Sequence, residues 1–157
     1  KDGRKYRAEK VSHVFSKGIS SLTLNLEKAY TEGAHVEKWQ RTIALDREYN
    51  WVEVTEQYKL DSLQIEKDRL NGQVFDNQII LMAYGKPVVQ KAGRILLQGG
   101  LVRLEYDAQY LSASVEKVQM TDGIMKTQWK DNIYRIILRL NDNYPMAKMK
   151  YRFVETR

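Results

Sequence analysis

The stretch Trp51-Val52-Glu53-Val54-Thr55-Glu56-Gln57-Tyr58 decides the fold. Successive side chains of an extended strand point to opposite faces. Val52, Val54, Glu56 and Tyr58 therefore share one face, and Trp51, Glu53 and Thr55 share the other. The same alternation continues outward in both directions. Val11, His13 and Phe15 alternate near the start, and Ser21–Lys28 puts Leu22, Leu24 and Leu26 in one phase. Leu101–Tyr106 repeats the pattern, as does Tyr134–Leu140 with Tyr134, Ile136, Leu138 and Leu140 in register. Half-buried strands read this way.

Turn chemistry separates these runs: Asn71-Gly72, Asp76-Asn77, Gly85-Lys86-Pro87, Gly99-Gly100 and Thr121-Asp122-Gly123. Glycine, proline, asparagine and aspartate favour the backbone angles that reverse a chain. Parallel neighbours need crossovers of a dozen or more residues, so short breaks favour antiparallel pairing. The expectation is an all-β fold, a two-layer antiparallel β-sandwich with little helix, forming a single domain over residues 1–157. Gln64–Asn71 and Ser112–Val118 are the two segments with room for a helical turn.

Hydrophobic residues are 43% of the chain and charged residues 29%, the balance of a soluble globule and not of a disordered tail. The longest apolar runs, Gln78–Tyr84 and Ile133–Leu140, have strand length, so no transmembrane helix is expected and no membrane partner is implied. A formal charge of +6 favours acidic partners, but the 26 basic residues are scattered among 20 acidic ones. Without a basic block, nucleic acid is not expected as a partner. The absence of cysteine excludes disulfides and thiolate metal sites.

Self-contained chemistry is sparse. His13 and His35 lack metal-ligand spacing, and no phosphate loop, nucleophile elbow or Ser-His-Asp order occurs. Neither a metal nor a cofactor is expected, and no catalytic residue is assigned. His13 reads as a sheet-face histidine and His35 as an exposed loop residue. Glu53, Glu56, Asp107, Glu116 and Asp122 read as carboxylates of solvated strand edges and turns. Aromatic rings stack on pyranose faces, and guanidinium groups hold sulfates or carboxylates. On that chemistry the candidate substrate-binding residues are Trp39, Arg41, Arg47, Trp129 and Arg135. Trp39 and Arg41 are two positions apart, hence on one face of a strand.

The order of segments resembles the C-terminal part of the heparinase II/III-like polysaccharide lyases. The likeness rests on Leu22-Thr-Leu-Asn-Leu-Glu-Lys-Ala-Tyr30, then Ala34-His-Val-Glu-Lys-Trp-Gln-Arg-Thr-Ile43, Leu45-Asp-Arg47 and Trp51-Val-Glu-Val54. It continues in Gly93-Arg-Ile-Leu-Leu97, Leu104-Glu-Tyr-Asp107, Val115-Glu116, Asp122, Trp129 and Ile133-Tyr-Arg-Ile136. The resemblance implies a C-terminal β domain excised from a longer chain, with a catalytic α/α-toroid upstream as its partner. It further implies a periplasmic or secreted bacterial enzyme that cleaves acidic polysaccharides by β-elimination. In such lyases the acid, base and carboxylate-neutralising groups belong to the toroid and the early β domain, and the segments matched here do not include those motifs. The implied role is therefore non-catalytic: packing on the toroid and flanking the substrate cleft. An autonomous carbohydrate-binding module for acidic glycans is the alternative.

Overall fold

The computed structural model describes residues 3–72, 76–142 and 144–156. Eleven strands are joined by two short helices and four single turns of 3-10 helix among the described residues. In chain order they are β1 (Glu9–Phe15), β2 (Ile19–Asn25), β3 (Val36–Asp46), β4 (Trp51–Leu60), α1 (Ser62–Leu70) and β5 (Gln78–Ala83). There follow β6 (Val88–Lys91), β7 (Arg94–Leu97), β8 (Val102–Tyr106), β9 (Leu111–Gln119), α2 (Gly123–Trp129), β10 (Asn132–Leu140) and β11 (Met146–Glu155). Backbone pairing orders the strands into two antiparallel sheets, β1-β2-β3-β4-β11-β8-β7-β6 and β5-β10-β9. This is the all-β sandwich class expected from the alternation. No helix among the described residues is long and apolar enough to cross a membrane.

Internal contacts divide the chain into two compact units, residues 1–75 with 143–151 and residues 76–142 with 152–157. In the first, β1 to β4 form a meander in which each strand pairs with the next. Its registers place Leu22 beside Ile43 and Ile43 beside Val54, an apolar row across three strands, and the next row on that face is Leu24, Arg41 and Glu56. Val54, Tyr58, Leu60, Met149 and Tyr151 are buried there. The alternation in β4 holds from Val54 to Leu60, and Glu56 is buried in phase with Val54 and Tyr58.

In the second unit, β10 is the central strand of the smaller sheet, paired with β5 on one side and β9 on the other. Its β-branched residues favour that position. Ile136, Leu138 and Leu140 are buried on one face, together with Ile95, Leu97 and Leu104 of β7 and β8. Gly93 enters β7 at φ +83, where a Cβ would stand 2.9 Å from the Tyr106 carbonyl oxygen. Only glycine meets both demands.

Local chemistry sets the helices. Asp61 caps α1 by accepting from the Gln64 N–H at 3.1 Å, so the helix begins before the expected Gln64–Asn71 turn. Asp122 does the same for α2, accepting from the Met125 N–H at 3.0 Å. The expected Thr121-Asp122-Gly123 turn is thus a helix start. Ser112–Val118 is strand, not helix, because β9 pairs with β10 along its full length and that ladder outweighs local preference.

Candidate functional site

The loop between β2 and β3 and the first half of β3 build the main cluster, all within the first unit. Leu26 donates its N–H to the Trp39 carbonyl at 2.6 Å, which extends the β2–β3 ladder into the loop. Glu27 then turns back, accepting from the Asn25 side chain at 3.1 Å and the Trp39 N–H at 3.4 Å. Desolvation acts upward on the Glu27 carboxyl, but hydrogen bonds from its own N–H, the Trp39 N–H and Asn25, with the Lys10 charge, together hold it below the ordinary range. One residue after the following 3-10 turn, the Tyr30 ring stacks on Trp39 with centroids 4.9 Å apart and planes 4° from parallel.

Trp39 and Arg41 converge on one carboxylate. The Trp39 Nε1–H donates to Glu56 Oε2 at 2.7 Å and the Arg41 Nε–H donates to Glu56 Oε1 at 2.7 Å. The Tyr151 hydroxyl adds a longer bond to Oε1 at 3.4 Å, and the Tyr58 ring lies tilted 5.9 Å from Trp39. Glu56 is 0% exposed, whereas the Arg41 side chain retains 32%. A buried charge must be paired and hydrogen-bonded. Here an indole, a guanidinium and a phenol meet that need, and register places Arg41 directly opposite Glu56 on β4. Burial, with the neighbouring Glu56 charge, pushes the Tyr151 phenol well above its usual value; burial also raises Tyr30.

Two depressions flank this cluster. One, of about 910 Å³, is walled by Tyr30, Glu27, Lys28, Glu32, His35 and Glu37, among others. The other, of about 530 Å³, shares Glu27 and Glu37 and adds Lys10, Lys38, Lys59 and Trp39. Lys59 is bonded to Glu37. The first concentrates carboxylates; the second carries more lysine.

The remaining candidates lie elsewhere. Arg47 is exposed in the turn after β3, where Asp46 accepts from the Glu48 and Tyr49 N–H groups at 2.9 and 3.0 Å. It lies six positions beyond Arg41 along the chain, roughly 20 Å at the usual rise. Trp129 ends α2 in the second unit with 43% exposure. Arg135, on β10 of that unit, donates its Nε–H to Glu116 Oε2 at 2.9 Å across the β9–β10 ladder. Of the five, Trp39 and Arg41 share a site.

His35 is not a plain loop residue: its Nε2 lies 2.9 Å from Asp68 Oδ2, tying the loop to α1, and the pair is mostly buried. His13 is exposed on β1 with its ring 5.1 Å from Phe15. No cluster of three or more His, Asp or Glu suited to a metal ion occurs among the described residues. Glu56, read from sequence as a solvated strand-edge carboxylate, is fully buried, and Tyr30 and Tyr151 were not among the candidate site residues. The available signal was Glu56 itself, a carboxylate in phase with Val52, Val54 and Tyr58.

No protein-family model matches the chain, and a search of curated proteins finds no significant match. The lyase resemblance therefore rests on the residues that carry it.

Proposed function

We propose that the chain is a non-catalytic β domain of a heparinase II/III-like polysaccharide lyase, set beside a catalytic toroid and flanking the cleft that holds a uronic-acid polysaccharide. One observation supports this reading: consecutive segments that bear the resemblance meet at a single cluster. Tyr30 of the Ala-Tyr loop stacks on Trp39 of the Trp-x-Arg strand, and Arg41 of that strand pairs with Glu56, two residues beyond the Trp51–Val54 run. The cluster is a packing device. Its one buried carboxylate is fully engaged with donors, as suits a part that shapes a wall and leaves acid–base chemistry to another domain.

The lysine-bearing depression supplies the glycan contact in this proposal. Lys10 and Lys38 line it with Asn25, Gln40 and Gln57, a set of cations and amides suited to a glycan with anionic substituents, and Lys59 is paired there with Glu37. An autonomous acidic-glycan module would use the same surface. A wall without the rest of its cleft binds weakly, since much of the preorganisation is missing.

Calorimetric titration with sulfated, uronic and neutral oligosaccharides at two salt concentrations tests this reading. Weak binding of the anionic sugars that declines as salt rises is expected, with no ultraviolet absorbance from an unsaturated uronate product. Equal binding of neutral sugar, or turnover that survives repurification, would overturn it. Tight binding by the chain alone would favour the autonomous module. The coding sequence contiguous with this domain should also specify amphipathic helices bearing Tyr and His; its failure to do so removes the lyase assignment.

A further inference from the structure

The face of β1 to β4 opposite Val54, Glu56 and Tyr58 carries polar side chains in rows that cross the strands. Register sets Glu9, Asn25, Gln40 and Gln57 beside one another, and the next row is Ser12, Thr23, Thr42 and Thr55. Asn25, Gln40 and Gln57 line the lysine-bearing depression together with Lys10 and Lys38. The Gln40 Nε2–H donates to Asn25 Oδ1 at 3.4 Å, and the Thr23 and Thr42 hydroxyls lie 3.0 Å apart. The Gln57 amide has no protein partner among the described residues. Nearby acids are engaged: Glu9 with Lys28, Glu37 with Lys59, and Glu27 with Asn25 and the Trp39 N–H. Lys10 and Lys38 form no salt bridge among the described residues.

We propose that this face is a track for one extended polysaccharide, laid across β1 to β4 with one sugar over each strand, and that its ligand is a β-linked glycan with an acid on every second sugar. The inference rests on the glycan reading of the depression and adds the orientation and repeat of the ligand. Neighbouring strands lie about 5 Å apart, close to the advance of one sugar along an extended β-linked chain. Successive sugars therefore meet Asn25, Gln40 and Gln57 in turn. Each primary amide both donates and accepts, so it holds a pair of ring hydroxyls or an acetamido group. Lys10 and Lys38 belong to β1 and β3, two strands apart. That interval is about 10 Å, one disaccharide repeat. Carboxylates at this spacing meet both ammonium groups, whereas an acid on the intervening sugar comes over β2, towards Glu27 beside Asn25. The row offers amides, hydroxyls and ammonium groups and no ring, so hydrogen bonds and charge, not base stacking, select its ligand.

Hyaluronan oligosaccharides are suitable probes, because their extended β-linked chain carries a uronate on every second sugar. Magnetic-resonance titration of the whole chain at low salt reads affinity and location together. The tetrasaccharide should bind at least about fivefold more tightly than the disaccharide, the worth of one or two more surface hydrogen bonds, and the hexasaccharide should gain less than about twofold beyond it. The side-chain NH2 signals of Asn25, Gln40 and Gln57 should move together. Gln40 and Gln57 are exposed, so Gln40→Ala and Gln57→Ala should keep the circular dichroism spectrum. Each should weaken the tetrasaccharide by about threefold or more. An oligogalacturonate of the same length, α-linked and acidic at every sugar, should bind at least about fivefold more weakly than the hyaluronan tetrasaccharide. Suppose binding is salt-sensitive and needs Lys38, yet is equal for di- and tetrasaccharide, equal for oligogalacturonate, or indifferent to both glutamine changes. The track is then overturned and the glycan reading stands. No binding of any anionic oligosaccharide overturns both.

Discussion

Glu56 is the residue on which the first unit turns. It is fully buried and accepts from Trp39, Arg41 and Tyr151, so each partner's loss leaves a charge with fewer donors. Arg41→Ala is expected to cost about 3–5 kcal/mol, the usual penalty for stranding one member of a buried ion pair. Replacing Arg41 and Glu56 together by leucine should cost less than the sum of the two single changes, because neither charge is then left alone. Chemical denaturation of wild type, Arg41→Ala, the two single leucine variants and the double variant measures both quantities. Tyr151 offers a second handle. Its folded-state ionisation is raised above the unfolded value, first by burial and then by Glu56, as burial raises Tyr30. Stabilisation from a raised group is intact below the unfolded value, about 10 for tyrosine, and is lost as pH climbs beyond it. Alkaline titration followed by phenolate absorbance should show a late-ionising tyrosine that disappears in Tyr151→Phe. An unchanged late fraction in that variant would contradict the burial argument.

The strands were legible because their pattern is local: the alternation from Val54 to Leu60 reports burial without knowledge of the neighbours, whereas in β10 Ile137, on the other phase, is buried along with Ile136 and Leu138. Elements that depend on a partner were not. Ser112–Val118 has a composition compatible with a helical turn and becomes strand because β10 lies beside it. Glu56 looked solvated since the groups that satisfy it come from β3 and β11, which only the pairing order brings near. Trp39 and Arg41 fell on one face as expected, but the Glu56 carboxylate between them was invisible without the β3–β4 register. Two element-level variants follow. Gly93→Ala combines a φ of +83 with a close approach to the Tyr106 carbonyl, so it should destabilise by about 1–3 kcal/mol or more. Asp61→Ala removes the cap of α1 and should cost about 1 kcal/mol, read as a lower thermal midpoint.

At the scale of the whole molecule, a net charge of +6 favours acidic glycans only where the cations gather. The larger depression carries Glu27, Glu32, Glu37 and Asp61 against Lys5 and Lys28, and it disfavours an anion. The smaller one sets Lys10, Lys38 and Lys59 against Glu27 and Glu37. Arg41 is already neutralised by Glu56, so Arg41→Ala should alter stability more than glycan affinity, whereas Lys38→Ala should do the reverse. Amide chemical-shift mapping with a sulfated uronic oligosaccharide is the most direct test of the glycan-flanking role. Shifts should concentrate at Lys10, Lys38, Trp39 and Lys59 and fade at high salt. Shifts that gather at Glu32 and His35, that are the same with a neutral sugar, or that fail to occur at all would contradict it.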